Sequence, residues 1–156
     1  MDFRCLPLRA AFDVAGAFDV IEHLDDDGEA LEAMRAAVKP GGGVLVTVPQ
    51  HPSLWSASDD FAHHRRRYTR RELRAKIESA GLRVVRVTSF ASIVLPLMAI
   101  SRWIPRREYD PELELRIGAG ANAVLSALSA IERTVIAAGL SLPAGGSLLA
   151  VAERPA

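Results

Sequence analysis

The feature that most constrains this chain is one join in its first fifty residues: an apolar run, a helix-like stretch, then a second apolar run. "FDVAGAF" (12–18) is short and rich in Val, Ala and Phe, and reads as a buried strand. "VLVTV" (44–48) is an unbroken, largely β-branched run, predicting a strand buried on both faces and ended by Pro49. Between them Leu31, Met34 and Val38 recur at helical spacing, which predicts a helix over 28–38 with one apolar face. The acids of "DVIEHLDDD" suit the positive N-terminal end of that helix, with Asp25 to Asp27 expected as a solvated cap, and "KPGGG" (39–43) stops it.

The rest of the chain extends the same alternation. Thr69 and Glu72 have capping-box spacing ahead of an apolar stripe of Leu73, Ile77 and Ala80, with Gly81 as C-cap, so 70–80 is a helix. "LRVVRVTSF" (82–90) alternates as a strand, 92–103 looks helical with a kink near Pro96, and 104–121 is loop-like. Residues 122–138 form a second apolar helix stopped at Gly139, and "SLLAVAE" (147–153) is a last strand. With 156 residues the chain is expected to be a single domain, 1–156, of α/β architecture around a largely parallel sheet.

Composition narrows the partners. Nineteen basic and nineteen acidic residues balance, which argues against a global nucleic-acid binder, and the basic run Arg65 to Lys76 reads as a wetted helix face. One cysteine, Cys5, permits no internal disulfide and fits a reducing, cytoplasmic setting, and the N-terminus shows no signal-peptide pattern. "FASIVLPLMAISRWI" (90–104) is too short to span a bilayer, and 121–142 carries Glu132 and Arg133 inside it; both read as buried or interfacial helices.

Chemistry concentrates just past the second strand, in "TVPQHPSLWSASDDFAHHRRRYTRREL" (47–73). Ligands in open parallel sheets bind outside the carboxyl ends of the strands. The tips near residues 18 and 49 are therefore expected to open on one cleft, bringing Asp19, Glu22 and His23 near His51, Trp55, His64 and Tyr68 beneath a lid-like loop. His23, His51 and His64 are the candidate bases. Trp55 and Tyr68 are candidate pocket walls, Arg66 and Arg67 candidate anion binders, and Glu22 a further substrate contact. Asp59 is expected to pair with an arginine and hold the lid shut. Adjacent His63 and His64 supply at most one site residue, and no spacing supports a metal site.

"FDVAGAFDVIEHLDDD…LEAMRAAVKPGGGVLVTVPQ" resembles the second half of a class I S-adenosylmethionine-dependent methyltransferase, and "H-x-R-R-Y-T-x-x-E-L" from His64 to Leu73 is similar to the lid of a bacterial methyltransferase type 11/12-like subgroup. The resemblance implies a partial Rossmann-like sheet, strands four to seven of the family, with an apolar helical insertion over 91–142. It implies S-adenosylmethionine as cofactor, with Asp2 and the Phe3 backbone facing adenine and Ala17, Phe18 and Asp19 as further cofactor contacts. The implied activity is methyl transfer to a small molecule or a glycan or lipid precursor. The family's glycine-rich loop is not among these residues, so the chain is expected to correspond to the C-terminal portion only. Its strand 12–18 is then expected to present an unpaired edge that promotes self-association. The rival expectation is a non-catalytic module acting through protein contacts or peripheral contact with a membrane.

Overall fold

The computed structural model describes residues 8–103 and 118–156, and the side chains of all of these except 101–103. Four strands, β1 (Phe12–Phe18), β2 (Val38–Pro49), β3 (Arg83–Phe90) and β4 (Ser147–Glu153), form one sheet in the order β1-β2-β4-β3. β1 and β2 are parallel, and β4 is antiparallel to both its neighbours, so β1, β2 and β3 run one way and β4 the other. The α/β expectation holds, with four described strands rather than a complete family sheet.

Two helices, α1 (Asp27–Ala37) and α3 (Arg70–Ser79), cover one face. Val44, Val46 and Val48 of β2 and Leu148, Ala150 and Ala152 of β4 are each at most 1% exposed and share one core with Leu31, Leu73 and Ile77. Period-two alternation sends this set to the helical face. The intervening β2 positions differ: Leu45 is half-buried and Thr47 buried, so "VLVTV" is sealed on one side more fully than on the other. Truncating Leu73 or Ile77 to Ala in so tight a set costs roughly 2–5 kcal/mol.

Two expectations need correction. "KPGGG" does not separate helix from strand; it lies within β2. α1 ends at Ala37, and the four residues 39–42 form an irregularity opposite Asp13, because Phe12 pairs with Val38 but Val14 with Gly43. Gly41 sits at φ +77°, and a Cβ on Gly42 would lie 2.7 Å from the Lys39 carbonyl oxygen and 3.0 Å from that of Asp13, so this crowded crossing requires glycine. The second correction is β1. The burial read from its composition does not hold, while the unpaired edge implied by the resemblance does: β1 is the edge of the described sheet, with Phe12, Val14 and Phe18 45%, 56% and 60% exposed.

Between β3 and β4 stand α4 (Leu95–Trp103) and α5 (Ala119–Ala137). Pro96 falls in the first turn of α4, where its missing N–H leaves no broken bond, so it starts this helix rather than kinking it. α5 is held by polar anchors. Glu132 accepts the Ala91 and Ser92 N–H groups at 3.0 and 2.9 Å, and Arg86 donates to the Ile136 and Leu140 carbonyls. Among the described residues no helix is long and apolar enough to cross a membrane.

Candidate functional site

The neighbouring tips of β1 and β2 define the site. Phe18 pairs with Thr47, and the Asp19 N–H donates to both the Thr47 carbonyl and its hydroxyl at 3.1 and 3.0 Å. Asp19 is in the left-handed region (φ 51°), which turns the chain sharply off the strand and into a single helical turn, Ile21–His23. From the tip of β2 the chain leaves at Pro49 and returns at Tyr68. The Tyr68 N–H donates to the Pro49 carbonyl at 2.9 Å and the His51 N–H to the Tyr68 carbonyl at 3.1 Å, so residues 50–68 close into a loop fastened at its neck. The loop is also tied across the cleft, where the Arg65 N–H donates to the Glu22 carbonyl at 2.8 Å.

Within the loop a short helix, α2 (Ala57–Phe61), is started by a capping box of Ser56 and Asp59. The S-x-x-D spacing carries this signal in the sequence. Asp59 is fully buried. The Arg67 Nε donates to its Oδ1 at 2.7 Å, the His64 Nδ1 lies 2.9 Å from the same oxygen, and the Ser56 N–H donates to Oδ2 at 2.9 Å. Burial alone would raise the Asp59 carboxyl, but the Arg67 and His64 bonds prevail and hold it below the usual carboxylate range. An ionised carboxylate only accepts, so the neutral His64 ring carries its proton on Nδ1 and has its lone pair on Nε2. Asp59 thus pairs with an arginine as expected and orients a histidine as well.

Arg66, Arg67 and Tyr68, expected at a substrate, turn inward. Besides Asp59, Arg67 donates to the Gln50 carbonyl. Arg66 donates to Asp27 Oδ2 and to the carbonyls of Leu24 and Asp25. The Tyr68 hydroxyl, almost completely buried, donates to Asp27 Oδ2 at 2.7 Å, and the Lys76 ammonium donates to Asp27 Oδ1 at 2.6 Å. Asp27 is therefore no solvated cap: Asp26 caps α1 by accepting the Glu29 N–H, and Asp27 is 2% exposed. Burial raises the Asp27 carboxyl, and its bonds from Lys76 and Tyr68, with the Arg66 charge, more than reverse this. Sequence reading takes Asp27 for part of a solvated cap because its partners lie 39 to 49 positions away.

At the cleft stand His23 and His64, with the buried Glu22 beside them. The His23 and His64 rings meet edge to face, with centroids 4.8 Å apart. Glu22 is fully buried, and neither carboxylate oxygen has a hydrogen-bond partner among the described residues. Burial pushes its carboxyl up to about 7, with the Asp19 charge adding to the shift and the polarity of its own backbone N–H and of His64 opposing it. An open pocket of about 500 Å³ is lined by His23, Asp60, His63, His64 and Arg65.

His51 and Trp55 are not among the residues that line that pocket. His51, at φ 63°, has a buried Nε2 without a partner among the described residues. Desolvation and the Arg67 charge lower its pKa against a bond to the Gly145 backbone. The exposed Trp55 indole donates to Asp60 at 3.0 Å. At the tip of β1, Ala17 is half-buried while Phe18 and Asp19 are exposed. Asp2 and Phe3 lie outside the described residues.

Comparison with known proteins gives a consistent picture. A family model described as a methyltransferase domain matches residues 3–87. No curated protein matches the chain. Among solved structures, one from the complex between the Haloferax volcanii Trm112 methyltransferase activator and a candidate methyltransferase is 20% identical with a TM-score of 0.59, over 100% of this chain and 60% of that one. The Haemonchus contortus phosphoethanolamine N-methyltransferase 2 in complex with S-adenosyl-L-methionine is 16% identical with a TM-score of 0.55, over 99% of this chain and 36% of that one. The [4+2]-cyclase SpnF is 18% identical with a TM-score of 0.57, over 99% of this chain and 55% of that one. The chain spans between about a third and three fifths of the length of these three structures. At such identities the likeness is one of fold, and the cyclase shows that the fold serves more than one chemistry.

Proposed function

The chain belongs to the class I S-adenosylmethionine-dependent methyltransferase family, and on that premise we propose that it serves methyl transfer from S-adenosylmethionine to a small-molecule, glycan or lipid-precursor acceptor. Methyl transfer from a sulfonium is an in-line displacement in which the cofactor supplies the reactive methyl and the protein supplies position. The observation that carries the reading is the convergence of Glu22, His23 and an oriented His64 at the carboxyl ends of two parallel strands. In this reading Ala17, Phe18 and Asp19 at the tip of β1 contact the cofactor, and Asp2 and Phe3 are assigned to adenine on the resemblance alone. His64 takes the acceptor's proton at Nε2, with His23 and Glu22 lining the acceptor side. Arg67 is a positioning residue, acting through Asp59 on His64, while Arg66 and Tyr68 hold the loop to α1.

Two measurements test this. Calorimetric titration with S-adenosylhomocysteine is expected to give a saturable heat; a folded chain that gives none loses the cofactor reading. Transfer of a labelled methyl group, screened over hydroxyl and amine acceptors, is expected to fall roughly 10²–10⁴-fold in His64→Ala. Unchanged transfer in that variant removes His64 from the reaction.

The exposed edge and apolar side chains of β1 favour a companion reading, association of the chain with a second copy or another protein along that strand. Light scattering is expected to report a species larger than the 16.9 kDa monomer, and a clean monomer at high concentration would count against it. The exposed Leu97, Ile100, Val124 and Ile131 of α4 and α5 support peripheral membrane contact. Flotation with liposomes tests it, and protein remaining wholly in the unbound fraction speaks against it.

A further inference from the structure

We propose that Glu22, His23 and His64 form a binding site for a divalent first-row transition-metal ion. One donor atom from each lies within 4.8 Å of the other two. Two imidazoles and one carboxylate form a donor set that suits such ions, and with only three protein ligands positions remain open. Donors held at roughly 2.0–2.2 Å around a tetrahedral ion stand about 3.3–3.6 Å apart. The cluster therefore closes onto an ion by small side-chain rotations, and the exposed ring of His23 is free to make them.

Three observations point to a ligand rather than a chance grouping. Glu22 is fully buried, neighbours both imidazoles, and has no hydrogen-bond partner for either oxygen among the described residues. Burying a carboxylate in that condition is costly, and a cation shared with two imidazoles removes the cost. The second is the orientation of His64. Its Nδ1 is engaged by Asp59, itself held by Arg67 and the Ser56 N–H, so Nε2 is the lone pair left to offer. A carboxylate behind a histidine is the usual outer support of a metal-bound imidazole, fixing its tautomer and raising its basicity. Third, His23 and His64 both line the open pocket, so an ion has an entry path and its open positions face solvent or an incoming molecule.

The consequence for chemistry rests on the methyl-transfer reading. An ion in this place would acidify an acceptor hydroxyl bound to it, and His64 would then serve as a ligand instead of taking the proton itself. Binding is measured without turnover or cofactor, so its failure is distinct from failure of that reading.

Cobalt(II) titration into the metal-stripped 156-residue chain, followed by visible d–d absorption, is the test. The expected result is one equivalent taken up and displaced by zinc. His64→Ala and His23→Ala are each expected to weaken uptake at least tenfold, and His63→Ala to leave it unchanged. His23 is exposed, so its variant remains informative if changes at buried Glu22 or Asp59 impair folding. Asp59→Asn, where it folds, is expected to weaken uptake about 10–100-fold through His64. No stoichiometric uptake, or uptake insensitive to both His23→Ala and His64→Ala, overturns the proposal.

Discussion

The loop 50–68 and the turn after β1 face each other across the cleft, and each hides a carboxylate completely: Asp59 on one side, Glu22 on the other. Their surroundings are opposite. Asp59 is met by Arg67, His64 and the Ser56 N–H, and its pKa falls. Neither Glu22 oxygen makes a side-chain hydrogen bond to another described residue, and its pKa rises to about 7. Burial is common to both, so the partners decide the sign. A carboxylate that is matched fastens a loop; one that is unmatched keeps a binding capacity in reserve.

The sharpest way to break this contrast is Asp59→Asn. It strips the buried Arg67 of its counter-charge, and breaking such a pair costs roughly 3–5 kcal/mol. An unfolding free energy from urea titration lowered by less than about 1 kcal/mol would show that the pair is not what holds the loop. Glu22→Gln is expected to do the reverse in the presence of a chelator. The folded-state pKa of Glu22, about 7, lies above its unfolded value of 4.5, so the unfolded chain ionises first as pH rises. The wild-type protein therefore loses stability between pH 4.5 and 7 and does not regain it above, by an amount of about 3 kcal/mol at most. The amide variant does not ionise and is spared the loss, so at pH 8 it is expected to be the more stable by about 1–3 kcal/mol, with no gain at pH 4. A loss at pH 8 would mean that Glu22 has a partner after all.

The same contrast explains what was legible in the sequence. Apolar period and capping signals marked β1, α1, α3, β3 and β4, because those depend on neighbours within a few residues: Thr69 with Glu72, or Leu73 with Ile77. The shared cleft at the tips near 18 and 49 followed from strand direction. The roles of Arg66 and Tyr68 did not. Both contact Asp27, at separations of 39 and 41 positions, and nothing local distinguishes an arginine that meets a ligand from one that meets a buried aspartate. β1 was misjudged as buried for a related reason: composition states what a strand would bury, while exposure depends on what stands beside it. The orienting role of Asp59 toward His64 was within reach, since the two are five residues apart in a segment already marked as dense in chemistry.

Asp27 supplies a milder version of the first contrast, because it has three side-chain partners and can lose one. Tyr68→Phe removes the hydroxyl and leaves Lys76 and Arg66 in place, so about 1.5 kcal/mol of stability is expected to go, near the low end for a bond to a charged acceptor. The loss is pH-dependent. The folded pKa of Asp27 lies below its unfolded value of 3.8, so its contribution is present above that pH and fades as pH falls through the folded pKa. Wild-type and variant stabilities, followed by thermal melts from pH 6 downward, are expected to converge in acid; parallel curves would show that the bond is indifferent to the charge of Asp27.

Trp55→Phe has the smallest expected effect on stability and separates two roles for the loop. The indole N–H donates to Asp60 at 3.0 Å in an exposed position, where an intramolecular bond merely replaces one to water, so about 0.5 kcal/mol or less is at stake. The ring itself is retained as a phenyl, so a stability change well above that would mean that the indole packs as part of the structure. If instead the aromatic face meets the methyl acceptor, the variant keeps its melting temperature while KM rises and kcat holds. That pattern, loss of uniform binding with the transition-state contacts intact, is one that the inward-turned Arg67 and Tyr68 are not expected to produce, since changes there alter stability first.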